Sequence, residues 1–305
     1  MQKARKQNVA NSSNKKNKNN PKNDLSIFNE PYPNHPRPTP EQCLSVRDDL
    51  LSLHGFPEEF AKYRKFRFHS GISSNSLETN HYFKLESLED DVKVEDGEKE
   101  SVLDGLVRTL LSQNTTEVNS KRAFDSLKAA FPTWEQVLAA DPKCIENTIK
   151  CGGLAVTKAS CIKNLLATLL EKKGNLCLEY LRDLPVDQIK AELSGFKGIG
   201  PKTVACVLMF NLQRDDFPVD THVFRITKAM GWIPDSADRE KAYLHLNKRL
   251  PNELKFDLNC LFVTHGKLCQ RCSTKWGDQQ SRPDIPSNCP LSIYCSFSVL
   301  KEFSN

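Results

Sequence analysis

The chain lacks what a membrane or secreted scaffold would need. No apolar run is long enough to cross a bilayer. The sequence does not open on an apolar secretory segment, so a soluble intracellular protein is expected. No internal repeat recurs, which excludes a solenoid. No segment alternates apolar and polar residues well enough to read as a strand. Charge of either sign is in small excess, at +5 overall, and it is unevenly spread. Residues 1–23 hold seven Lys/Arg and no acid, whereas residues 85–100 hold eight acids and two lysines. A nucleic-acid surface must therefore come from local clustering of basic residues.

Cysteine, by contrast, is abundant. Eleven cysteines in an intracellular chain argue against a disulfide framework. Seven are dispersed (Cys43, Cys144, Cys151, Cys161, Cys177, Cys206 and Cys260) and read as small buried hydrophobes. The other four form the series Cys269-x2-Cys272-x16-Cys289-x5-Cys295. Short loops of this kind bring thiolates together as metal or cluster ligation requires.

Residues 1–40 are rich in Asn, Lys, Ser and Pro, and a disordered basic tail is expected there. The run Lys15-Lys16-Asn17-Lys18 reads as a nuclear address or as a solvated tail. Thr39-Pro40 places a cap before a proline at the first helical position, opening N-terminal helices over 41–66. Residues 67–100 lose periodicity and turn acidic, as a linker or insertion does. From Ser101 the pattern is helical. Val102, Leu103, Leu106, Val107, Leu110 and Leu111 form a stripe at spacings of three and four. Short amphipathic helices come next, separated by Pro132, Pro142 and Pro185.

Glycine is sparse, thirteen residues in all, yet three fall within Gly195-Phe-Lys-Gly-Ile-Gly200. Glycines let the backbone turn tightly and approach a phosphate that a Cβ would exclude. Pro201 suits the first position of the next helix, and amides at a helix start bind anions. Lys202 lies in that first turn. Asp220 comes later, in Pro218-Val-Asp-Thr-His222, where it also reads as the cap of a further helix.

This arrangement resembles the helix-hairpin-helix glycosylase superfamily of base-excision repair, most closely its endonuclease III-like branch. The likeness runs from about Ser101 to Cys295. It rests on Leu110-Leu-Ser-Gln-Asn-Thr-Thr116, Gly153-Leu154 with Lys158-Ala159, the hairpin with Lys202, Val219-Asp220-Thr-His222, and His265-Gly266 before the cysteines. It implies an all-α, two-lobed fold. Residues 118–231 would form a helical barrel lobe with the hairpin at 193–212. Residues 41–66, 101–117 and 232–305 would build the second lobe.

The resemblance further implies a monomer that acts on double-stranded DNA carrying a damaged or modified base. Lys202 would attack C1′ and form a Schiff base, with its pKa lowered by desolvation and the helix N-terminus. Asp220 would activate it and stabilise the developing cation. Leu154 would fill the vacated stack, and Gln113 would bond the orphaned base or the backbone; packing and capping are their plain alternatives. Gly195, Lys197, Gly198 and Gly200 would contact DNA, with a monovalent cation held by hairpin carbonyls. His222 reads as structural.

For Cys269, Cys272, Cys289 and Cys295 the resemblance implies a [4Fe–4S] cluster. The position three before Cys289 is Pro286 rather than cysteine, however, so a zinc site and no metal both stay open. A monofunctional glycosylase, in which Asp220 activates water, and a non-catalytic DNA-binding module are the rival functions. The nucleus is the expected location, with an organelle as the alternative.

Overall fold

The computed structural model describes residues 30–69, 100–269, 271–272 and 289–295, and all regular structure in them is helical. Helices begin where short polar side chains satisfy otherwise unpaired amides. Thr39 and Gln42 form a reciprocal capping box at the start of α1 (Pro40–His54), and α2 spans Glu58–His69. Ser101 caps α3 (Val102–Leu111), and Thr116 caps α4 (Glu117–Ala130). Thr133 and Gln136 box the short α5 (Trp134–Ala139), and Asp141 caps α6 (Pro142–Thr148).

Next come the long α7 (Ala155–Lys173), α8 (Val186–Ser194) and α9 (Pro201–Cys206). The last three helices are α10 (Thr221–Ala229), α11 (Arg239–Arg249) and α12 (Asn252–Leu268).

Two hydrophobic cores organise these helices. The first joins the α3 stripe to residues from Ala123 through Leu212, with Leu127, Ile145, Ile162, Leu166 and Leu193 at its centre. The second joins Cys43, Val46 and Leu50 of α1 to residues from Met209 through Phe262, and to Cys289 and Leu291. The α3 stripe, grouped from sequence with the second lobe, packs in the first core. Phe217 through Met230, grouped with the barrel, pack in the second. The boundary between the two cores falls within the helix after the hairpin.

At that boundary α9 widens into a π turn over Val207–Asn211, closed by the Leu212 amide donating to the Val207 carbonyl at 2.9 Å. Such turns insert an extra residue and change the direction of the chain beyond them. Here Asn211 is brought so close to α3 that a Cβ on Gly105 would lie 1.9 Å from its Nδ2.

The last part of the tail expected through residue 40 is described, from Glu30, and it packs on the helices. Tyr32 packs against the second core, His35 Nε2 lies 3.0 Å from the Gly231 carbonyl, and His245 Nε2 donates to the Arg37 carbonyl at 2.7 Å. Residues 1–29 and 70–99, where most of that tail and the acidic linker were expected, lie outside the described residues. No described helix is long and apolar enough to cross a membrane.

Candidate functional site

The hairpin is shaped by one backbone requirement. Gly198 has φ +91°, and a Cβ there would meet Cys161 Sγ at 2.0 Å. The Cys161 thiol instead donates to the Lys197 carbonyl at 3.1 Å, fixing the loop to α7. Phe196 and Ile199 point into the first core, leaving Gly195, Lys197 and Gly198 exposed. The Ile199 amide donates to the Phe196 carbonyl at 3.1 Å, so it is spent within the turn rather than left for an anion. Gly198→Ala is expected to cost about 1–3 kcal/mol in backbone strain and a similar amount in overpacking. Denaturation midpoints would read this, and Cys161→Ala in the same chain should recover only the packing share.

Gly200, in extended conformation, opens α9 with Pro201 at the first position and Lys202 at the second. Lys202 is exposed and makes no hydrogen bond or ion pair with a described residue. The expectation from sequence places this amine in desolvated surroundings; here its side chain is open to solvent. Asp220 is half-buried at the start of α10. Its Oδ1 accepts the Val223 amide at 2.8 Å, so the capping role read from sequence is present. One turn beyond Lys202, the half-buried Cys206 thiol responds to both groups. Burial pushes its pKa up to about 11, the Asp220 and Asp216 charges add to that rise, and Lys202 opposes it. Of the seven dispersed cysteines read as buried, Cys43 and Cys260 are, while Cys151, Cys161 and Cys206 are half-buried and Cys144 and Cys177 exposed.

Helix α7 carries the next part of the site. Leu154 stands at its N-cap with φ +50°, a left-handed conformation rare for a branched-chain side chain, and it is 55% exposed. Val118 and Val156 are exposed too. Two turns on, Cys161 supports the hairpin, about 10 Å along the helix axis from Leu154. Between them Lys158, only 3% exposed, donates to the Leu111 carbonyl at 2.8 Å and the Gly152 carbonyl at 2.9 Å. Burial lowers its pKa. This lysine ties the Leu154 turn to the end of α3, where Gln113 begins the loop to α4. Gln113 Nε2 donates to Thr203 Oγ1 of α9 at 2.9 Å, and it is Thr116 rather than Gln113 that caps α4. Gln113, Leu154, the hairpin and Lys202 are therefore held by three interlocked helix ends.

The cysteine series departs from expectation. Cys269, Cys272 and Cys289 come together, but the fourth donor beside them is His265, and the four ligand atoms lie within 4.8 Å of one another. Cys295 instead donates its thiol to the Leu291 carbonyl at 3.3 Å. His265 was legible only as part of the His265-Gly266 block; its position one turn before Cys269 on α12 was the missed signal. Burial disfavours charge on His265, yet the Cys269 and Cys289 sulfurs outweigh it and push its pKa up to about 9. His222 Nδ1 is buried and has no hydrogen-bond partner among the described residues. The ring packs so closely on Gly266 that a Cβ there would lie 2.6 Å from it.

The family described as HhH-GPD superfamily base excision DNA repair protein matches residues 107–252. An Arabidopsis thaliana protein, named provisionally as a DNA glycosylase, is 59% identical over 261 residues, covering 86% of this chain and 87% of its own. The chain belongs to the HhH-GPD superfamily of base-excision DNA repair proteins. A second Arabidopsis thaliana member, named a DNA glycosylase/AP lyase, is 40% identical over 118 residues, which are 39% of this chain but only 8% of that protein. The solved structure of a non-covalent endonuclease III–DNA complex superposes with a TM-score of 0.58 at 20% identity, over 87% of this chain and 99% of that one. The HhH-GPD fold, all-helical among the described residues, is therefore the endonuclease III-like one.

Proposed function

We propose that this HhH-GPD protein excises a damaged or modified base from duplex DNA and then cuts the strand at the abasic site. The observation that carries this is the exposed Lys202, unpaired among the described residues and set beside the glycine hairpin, with the half-buried Asp220 carboxylate at the start of α10. The DNA glycosylase/AP lyase among its relatives supports the lyase half.

In this reading the hairpin seats a phosphate, Leu154 enters the stack, and Gln113 bonds the orphaned base through the oxygen of its amide. DNA covering Lys202 supplies the dry surroundings that the free protein does not. Asp220 takes a proton from the ammonium, and the freed Nζ lone pair bonds to C1′ as the glycosidic bond breaks. The base leaves with the electron pair of the broken glycosidic bond and is protonated. Opening of the sugar gives an iminium, loss of a C2′ proton expels the 3′ phosphate, and the strand is cut. A monovalent cation on the hairpin carbonyls would steady the phosphate, and a single copy of the chain suffices. The Lys15–Lys18 run supports a nuclear location.

Borohydride added during turnover of an abasic duplex should give a covalent protein–DNA adduct, and a panel of single-lesion duplexes should reveal the base released. Base release without an adduct would instead assign the monofunctional reaction, and neither would reduce the protein to a DNA-binding module.

The wedge role makes a separate prediction. Leu154→Gly removes both the side chain and the left-handed strain, so stability should hold or rise slightly. Unstacking costs a few kcal/mol per step, so losing part of the filling should slow excision from duplex at least tenfold, or about 1.4 kcal/mol. Excision from single strands should be spared. Equal losses on both substrates would return Leu154 to ordinary packing.

A further inference from the structure

Cys272 Sγ lies 3.8 Å from Cys289 Sγ, and Cys289 Sγ lies 3.4 Å from His265 Nε2. With Zn–S near 2.3 Å and Zn–N near 2.0–2.1 Å, tetrahedral ligands of one zinc ion stand about 3.5–3.8 Å apart. Both of these separations lie at or close to that range, and all four donors lie within 4.8 Å of one another, close enough to converge on a single ion. A [4Fe–4S] cube instead takes one thiolate on each iron, so its ligand sulfurs spread farther than those on one metal. It also wants four thiolates, whereas here the fourth donor is an imidazole and Cys295 bonds elsewhere. Three soft sulfurs and one nitrogen, with no open position, form a structural zinc set.

The surroundings complete it. A ligating histidine presents its second nitrogen to a partner that fixes tautomer and ring plane. His265 Nδ1 lies 2.9 Å from His54 Nε2, which comes from α1. With Nε2 on a metal, Nδ1 carries the proton and donates to His54. The loop bearing Cys272 is held by Arg225, whose Nη1 donates to the Cys272 carbonyl at 2.9 Å.

We propose that His265, Cys269, Cys272 and Cys289 hold one structural Zn²⁺ in place of an iron–sulfur cluster, with Cys295 outside the coordination sphere. The ion ties α12 to the 271–272 turn and the 289–295 segment. Through His54 and Arg225 it also braces α1 and α10, the helix that Asp220 caps. This assignment does not depend on the catalytic reading.

The test is metal and sulfide analysis of the full chain, purified without oxygen from cells supplied with both iron and zinc. One zinc per chain is expected, without iron or inorganic sulfide. Cobalt exchanged into the site should show the visible ligand-field bands of a tetrahedral thiolate centre. His265→Ala and Cys272→Ser should lose the zinc, while Cys295→Ser keeps it. His265→Cys, which restores a fourth soft ligand, should also keep it and so separates ligand loss from misfolding. His54→Phe should weaken zinc retention against a chelator roughly 10–100-fold. Stoichiometric iron and sulfide, a chain without metal, or loss of zinc from Cys295→Ser would overturn the proposal.

Discussion

Lys202→Gln should leave no borohydride-trapped adduct and no strand cleavage above background, and base release should fall roughly 10³-fold or more, as when other enzymes lose a nucleophile. Glutamine keeps a polar group of similar reach that can still bond a phosphate, but it has no amine to form an imine. Because Lys202 is exposed and unpaired among the described residues, stability should stay within about 0.5 kcal/mol of the parent chain. Duplex affinity should fall only by the share of one cationic contact, with a slightly shallower salt dependence. Lys158 is poorly suited to replace it, being buried and already bonded to two carbonyls. Adduct formation that survives Lys202→Gln would place the reacting amine elsewhere and remove the basis for the bifunctional mechanism. The comparison should be made under single turnover, where base release and strand cutting are timed separately.

The features legible from the amino-acid order were local ones. The caps at Thr39 and Asp220, the proline after Gly200 and the spacing of the α3 stripe are decided by residues within a turn or two of one another, so the helices were legible. The glycine hairpin was legible for the same reason, since the φ of +91° at Gly198 is a property of its own backbone. Relations across helices were not. His265 replaces Cys295 because α12 turns its imidazole toward the thiols, and nothing in the cysteine spacing encodes that rotation. Lys158 looked like one residue of a family block, and its two carbonyl bonds appear only once α3 and α7 meet. The exposure of Lys202 depends on how the first core closes beneath α9. Each of these is a tertiary fact, and periodicity carries no information about it.

Asp220 permits a test in which stability and chemistry part. As the cap of α10 it accepts the Val223 amide at 2.8 Å, and asparagine caps a helix nearly as well as aspartate. Asp220→Asn should therefore lose at most a few tenths of a kcal/mol from the cap, with up to about 1 kcal/mol more from removing a charge that favours the helix start. Asp220→Ala removes the bond itself and should cost about 1 kcal/mol. If Asp220 were only a cap, activity would track stability, and the asparagine variant would stay close to full rate. If its carboxylate takes the Lys202 proton and faces the cationic sugar, both variants should slow base release by about 10²–10⁴-fold despite their different stabilities. The decisive chain is Asp220→Asn, folded and binding duplex DNA like the parent, because it keeps the amide partner and loses only the charge. Near-parental excision by that variant would leave Lys202 without its base and reduce Asp220 to the end of a helix.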